Sequence, residues 1–150
     1  MKTFAKLLTL VVLLNLARYF IGGMIESVTI MEPMHRVMPE YPDTFDNNFT
    51  RTDFLTSLGY NFAMWFFAEL VFHLVHPQLR GPMLVRSLTS YWLMAAFFSS
   101  VAAVYMNHYT PPIRPFYAWS MADAAIVFTV VGLANGLLYP LFFRGGRRVE

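Results

Sequence analysis

The chain predicts an all-α membrane protein with four transmembrane helices in an up-down bundle. Both termini are expected to be cytoplasmic, with an extracytoplasmic loop between helices 1 and 2. Three observations predict this. Only 13% of the 150 residues are charged, against 57% hydrophobic, whereas a soluble domain carries about 25% charged residues. Four apolar runs recur, each of about 20 residues, long enough to cross roughly 30 Å of hydrocarbon. The basic residues are unevenly shared among the connections. Lys2, Lys6, Arg80, Arg86, Arg144, Arg147 and Arg148 fall on one side of the alternation and only Arg36, Arg51 and Arg114 on the other. That bias puts the richer side in the cytoplasm. The expected host is an inner (cytoplasmic) membrane of the bacterial type.

A formal net charge of +2 gives no electrostatic footprint for nucleic acid. Cysteine is absent, which excludes disulfides, thiolate metal sites and thiol redox chemistry. The whole chain reads as one domain, 1–150.

Helix 1 is expected over about 4–27. Its start reads like a secretory signal, with Lys2 and Lys6 before Leu7–Leu14. No small-x-small cleavage site follows cleanly, so a retained span is predicted. Asn15, Arg18, Gly22 and Glu26 fall within roughly an 80° arc of a regular helix. Arg18 lies roughly 16 Å past Leu7 at helical rise, too deep for easy snorkelling, so a buried partner is expected.

The stretch 30–56 is read as the outer loop. It sets Glu32, Glu40, Asp43, Asp46 and Asp53 against Arg36 and Arg51, with prolines at 33, 39 and 42. Tyr41, Phe45, Phe49 and Phe54 are expected to pack it onto the bundle mouth. Asn48-Phe49-Thr50 matches the glycosylation sequon. Thr52 or Asp53 is the expected cap of helix 2.

Helix 2 is expected over about 56–76, stopping at Pro77. Glu69, His73 and His76 lie within roughly 60° of one another, and Phe62 and Trp65 share that face. A carboxylate deep in a span faces protein or water, not lipid. Helix 3 is expected over about 84–106. It carries Ala95, Ser99 and Ala103, and Ala96 with Ser100, at the four-residue spacing that allows close helix contact in lipid. Asn107, His108, Tyr109 and a proline-rich link with Arg114 follow. Helix 4 is expected over about 116–139, ending before Pro140. It holds Asp123, the pair Gly132 and Gly136 for a tight crossing, and Tyr117 with Trp119 as interface anchors.

Counted from the outer face, Asp123 lies at roughly 9 Å, Arg18 at roughly 13 Å and Glu69 at roughly 18 Å. Arg18 is therefore expected within direct or one-water reach of Asp123 or Glu69, as a charge-paired core. Arg18, Glu26, Glu69, His73 and Asp123 are the candidates for a ligand or proton site, because intramembrane ionisable groups are functional candidates. Glu69, His73 and His76 have spacing that could hold a metal from one helical face. The second carboxylate-histidine pair of di-iron bundles is missing, so no metal is predicted. His73 alone could serve as an axial imidazole for a haem-type group, and no cofactor is assigned. Asn107, His108, Tyr109 and Arg114 form an outer-mouth group suited to a polar headgroup or to bracing the loop.

No serine nucleophile elbow, phosphate-cradling glycine loop or zinc signature is present in the sequence. The first reading is therefore a non-catalytic subunit or partner of a larger membrane assembly, surrounded by lipid and by other chains or copies of itself. The alternative is a small proton-coupled transporter, or a membrane enzyme acting on a lipid-like or anionic substrate. There Arg18 would hold the anion, and Glu69 with His73 would move a proton.

Overall fold

Apolar length and helix-start chemistry produce four helices in the computed structural model, which describes residues 2–43, 50–106, 108 and 114–143. They are α1 (Lys2–Glu40), α2 (Arg51–Gln78), α3 (Met83–Met106) and α4 (Arg114–Phe143), each long and apolar enough to cross a membrane. Among the described residues every regular element is helical.

The helix ends depart from expectation in a consistent way. α1 does not stop near 27 but continues to Glu40, so much of the stretch read as loop 30–56 is helix. It passes Pro33 by turning wide, with an i→i+5 turn at Ser27–Met31 just before it; another such turn lies earlier, at Arg18–Gly22. Such a turn carries the hydrogen-bond ladder past the N–H that proline lacks. Glu32 and Arg36 then pair across one turn of the extension. α2 starts at Arg51, not 56, and its cap is Thr50 in place of Thr52 or Asp53. The Thr50 hydroxyl accepts the Asp53 N–H at 3.3 Å, and the Asp53 carboxylate accepts the Thr50 N–H at 2.9 Å. This reciprocal box satisfies two N–H groups that the helix itself leaves unpaired. α3 begins at Met83, one residue early. α4 spans Arg114–Phe143, starting before 116 and running through Pro140. One missing donor is tolerated when neighbouring helices pack around it.

Cross-contacts fix the arrangement. Phe4 meets Phe66, Tyr91 meets Glu69, Ser87 meets Gly132, and Lys6 meets Phe142. Consecutive helices are thus antiparallel, and α4 closes the ring against α1. The core is Leu10, Val11 and Leu14 from α1, Trp65 and Phe72 from α2, Tyr91 from α3 and Val131 from α4. Outward faces expose Phe20, Phe67, Leu93, Phe97, Leu137 and Leu141, the apolar exterior a bilayer requires.

The tightest crossing joins α3 and α4, where the glycine pair was expected to lie at a helix contact. A Cβ on Gly136 would stand 2.8 Å from the Leu84 Cα, and one on Gly132 would stand 3.1 Å from the Tyr91 Cβ. The Ser87 hydroxyl donates to the Gly132 carbonyl at 2.8 Å and accepts from Asn135 Nδ2 at 3.2 Å. Of the small residues on α3, Ala95 is buried, whereas Ala96 and Ser100 are exposed. Tyr41 packs edge-on against Phe116, and Phe54 is exposed. Phe45, Phe49 and the sequon Asn48 lie outside the described residues.

Candidate functional site

On α2, Trp65, Ala68, Glu69 and Phe72 recur at three- and four-residue spacing and all turn inward. Glu69 is the charged member of that stripe and is 0% exposed. One carboxyl oxygen accepts from the Tyr91 hydroxyl at 3.0 Å. The other is buried with no hydrogen-bond partner. Among the described residues no lysine or arginine pairs with it; the ion pairs there are Arg18–Glu26 and Arg36–Glu32. Around it stands an aromatic layer. The Trp65 ring lies 4.9 Å from Phe128 and stacks on Tyr91 at 6.3 Å, and Phe72 packs on Tyr91. The Trp65 indole is held by donation to Asn61 Oδ1 at 2.8 Å.

Toward the α2–α3 turn, polar groups continue from Glu69. His73 Nδ1 and the Tyr139 hydroxyl are 2.7 Å apart. Tyr139 also packs on His76 and Phe143, at ring separations of 4.8 Å and 4.5 Å. His76 Nδ1 lies against the carbonyls of Phe72 and His73, so in the neutral ring the hydrogen sits on Nδ1. These groups open into a cavity of about 500 Å³ whose walls include His73, His76, Arg86, Tyr139 and Phe143.

A second polar chamber lies at the opposite end. Arg18 and Glu26 form an ion pair at 3.0 Å, with side chains 14% and 4% exposed. Glu26 Oε1 makes no aligned hydrogen bond, so charge proximity defines this contact. The two residues stand about 80° apart on a regular helix. The i→i+5 turn at Arg18–Gly22 lies between them. By fitting extra residues into one turn it holds back the rotation and brings both onto one face. The pair lies over Gly22, where a Cβ would stand 3.8 Å from Glu26 Oε1. Arg18 also lines a cavity of about 260 Å³ with Asn61, Ser120 and Asp123. Arg18 Nε and Asp123 Oδ1 are buried there without hydrogen-bond partners.

The direct ion-pair partner of Arg18 is Glu26, on its own helix, and not Asp123 or Glu69; Asp123 shares the wall of one small cavity with Arg18, whereas Glu69 does not line it. Arg18, Glu26 and Asp123 gather at one end, while Glu69 sits beyond the Trp65 and Phe128 rings and His73 beyond that. Among the described residues no group of three His, Asp or Glu side chains is placed to hold a metal. Within the weak set Glu69, His73 and His76, the first two each bond a different tyrosine hydroxyl. Of the group Asn107, His108, Tyr109 and Arg114, Asn107 and Tyr109 lie outside the described residues. His108 is exposed, its N–H on the Tyr105 carbonyl, and Arg114 opens α4.

Sequence reasoning missed Tyr91, Tyr139 and Asn61. The available signal was their helical spacing from other inward positions: Tyr91 follows Ser87 by four, and Tyr139 follows Gly136 by three and Asn135 by four. Compared with known protein families, with curated proteins and with solved structures, the chain matches none.

Proposed function

We propose that the chain is a small proton-coupled membrane transporter in which Glu69 is the proton-binding group. The observation that carries this reading is the buried Glu69 oxygen that has no hydrogen-bond donor and no ion-pair partner among the described residues. Charged and neutral carboxyls differ steeply in cost inside hydrocarbon. Proton exchange at Glu69 is then coupled to whether water reaches it. Tyr91 supplies the mechanical link, since it bonds Glu69 and also belongs to the aromatic layer between the two chambers. His73 with Tyr139, and then His76, provide the route from the larger cavity. Arg18 and Asp123 line the opposite chamber.

On the lysine and arginine bias, the termini and the α2–α3 turn are cytoplasmic, in a membrane of the bacterial inner-membrane type. The larger cavity then faces the cytoplasm. Residues introduced as single cysteines into this cysteine-free chain report that topology by accessibility labelling.

The decisive experiment uses purified protein in liposomes with a trapped pH dye and an apolar carbodiimide, which modifies proton-bearing carboxyls. Wild type should acquire the adduct at Glu69 and pass protons under an imposed pH gradient, and Glu69→Gln should lose both. Wild-type proton flux through Glu69→Gln sinks the proposal.

A second reading, a subunit that receives a partner helix, is favoured by the groove between α1 and α2. Leu16, Tyr19, Leu55, Leu58 and Phe62 line about 480 Å³ there. A Cβ on Gly59 would meet nothing within 4 Å. A second copy of the chain would fill this groove. Disulfide capture through Gly59→Cys in native membranes supports that reading if it yields dimers, and monomer alone counts against it.

A further inference from the structure

The cavity of about 500 Å³ near the α2–α3 turn has a chemistry that stands apart from proton exchange at Glu69. Among the described residues its lining holds Arg86 and two histidines but no carboxylate. Arg86 is fixed in place: Nε donates to the Gly81 carbonyl at 2.7 Å, and one amino nitrogen reaches the His76 carbonyl at 3.4 Å. Its other amino nitrogen has no protein partner among these bonds, and guanidinium keeps its charge at all working pH. The histidine Nδ1 atoms are engaged, on Tyr139 and on backbone carbonyls, which leaves each Nε2 edge for a ligand. Gly81 and Met83 bring the start of the 24-residue helix α3 to the wall, where the first N–H groups have no helical acceptor.

The rest of the lining is apolar: Met83, Pro140, Phe143 and the Tyr139 ring. The occupant therefore combines an oxyanion with an apolar body. Position narrows it further. The cavity is built from the last turn of α2, the first turn of α3 and the last residues of α4, the depth of lipid headgroups for helices that span a bilayer. Beside it Lys6 donates to the Phe142 carbonyl at 2.7 Å and stands over the Phe143 ring. In sequence Phe143 is followed at once by Arg144. Basic pockets between helices at the cytoplasmic surface suit anionic headgroups.

We infer that this cavity binds the phosphoester group of an anionic membrane lipid, with Arg86 as the charge that holds it. The full chain in a neutral detergent, titrated with phosphatidylglycerol or phosphatidylcholine and read by native mass spectrometry, tests the inference. Phosphatidylglycerol should be retained selectively. Arg86→Gln should weaken its retention about tenfold, as loss of a charge-assisted contact predicts, and Arg86→Lys should restore part of it. Because Arg86 also ties down two carbonyls, Met83→Trp provides a second arm: it fills the cavity without touching a charge and should also expel the lipid. Displacement by millimolar inorganic phosphate would identify a general phosphoester site, and resistance to it a lipid site; both uphold the oxyanion assignment. Equal retention of the two lipids, or retention unchanged in both Arg86→Gln and Met83→Trp, overturns it.

Discussion

Gly136→Ala tests the α3–α4 crossing on which the candidate site is built. The added Cβ would lie 2.8 Å from both Cα and Cδ1 of Leu84 and 3.4 Å from the Ser87 Cβ. Carbon atoms settle at about 3.5–4.0 Å, and the Leu84 Cα belongs to the backbone and cannot rotate aside. The helices must separate by roughly 1 Å at this point, and overpacking of that kind costs about 1–3 kcal/mol. The same separation strains the Ser87–Gly132 and Asn135–Ser87 bonds, at 2.8 Å and 3.2 Å. Losing one such bond costs about 1 kcal/mol, roughly offset by the gain of about 1 kcal/mol for alanine over glycine in a helix. The net expectation is a loss of about 1–3 kcal/mol. Gly59→Ala is the internal control. With nothing within 4 Å of its Cβ, only the propensity gain operates, and the variant should be stabilised by about 0.5–1 kcal/mol. Unfolding of both variants in one detergent, titrated with dodecyl sulfate and followed by tryptophan fluorescence, gives the comparison. Shifts of the same sign and size would refute the close approach of α3 and α4.

Further expectations follow the same geometry. Arg18→Leu strands Glu26 and should cost about 3–5 kcal/mol; adding Glu26→Gln should recover much of it, and recovery by Asp123→Asn instead would reassign the partner. Gly22→Ala should be tolerated, since its nearest neighbour is 3.8 Å away, whereas Gly22→Leu should mimic loss of the ion pair in the same unfolding assay. Tyr91→Phe removes the donor that Glu69 has among the described residues, at about 1–3 kcal/mol for an orphaned buried polar group, and should speed carbodiimide labelling of Glu69 as water gains access. Thr50→Ala should cost about 1 kcal/mol, read as faster hydrogen exchange confined to the first turn of α2.

The four helices were legible because hydrocarbon crossing demands length and apolar content, and both are written plainly in the chain. Their ends were less so. Pro33 and Pro140 read as terminators, yet each sits inside a helix, since a membrane helix bends its ladder around one missing donor. Thr50 was passed over because Arg51, Thr52 and Asp53 look like more loop; the residue that matters is Asp53, three positions on. Gly132 and Gly136 were legible from spacing alone. The partner of Arg18 was not, because a wide turn shifts every later residue around the axis and no composition signal announces it. Tyr91 and Tyr139 were illegible for another reason. In sequence they look no different from Tyr60 and Tyr105, which are 74% and 56% exposed, and only packing tells an inward hydroxyl from an interfacial one.

The seam between the α1–α2 hairpin and the α3–α4 hairpin is where the proposed proton chemistry would act. α3 and α4 are locked by glycine contact and by Ser87 with Asn135, whereas α2 touches α3 only sparingly. Side-chain hydrogen bonds across the seam include Tyr91 to Glu69, Tyr139 with His73, Lys6 to the Phe142 carbonyl and Arg86 to the His76 carbonyl. Two of these end on a titratable group of α2. On the proposed reading, a proton arriving at Glu69 or leaving His73 changes a bond that joins the hairpins, while the α3–α4 contact stays fixed. Gly132 carries that rigidity to the site, because its backbone supports the Tyr91 side chain whose hydroxyl meets Glu69. On that reading the proton site and the joint between the hairpins would be the same few atoms. The proposed coupling of charge to opening therefore rests on α2, the helix that makes few contacts with α3 and carries Glu69 and His73.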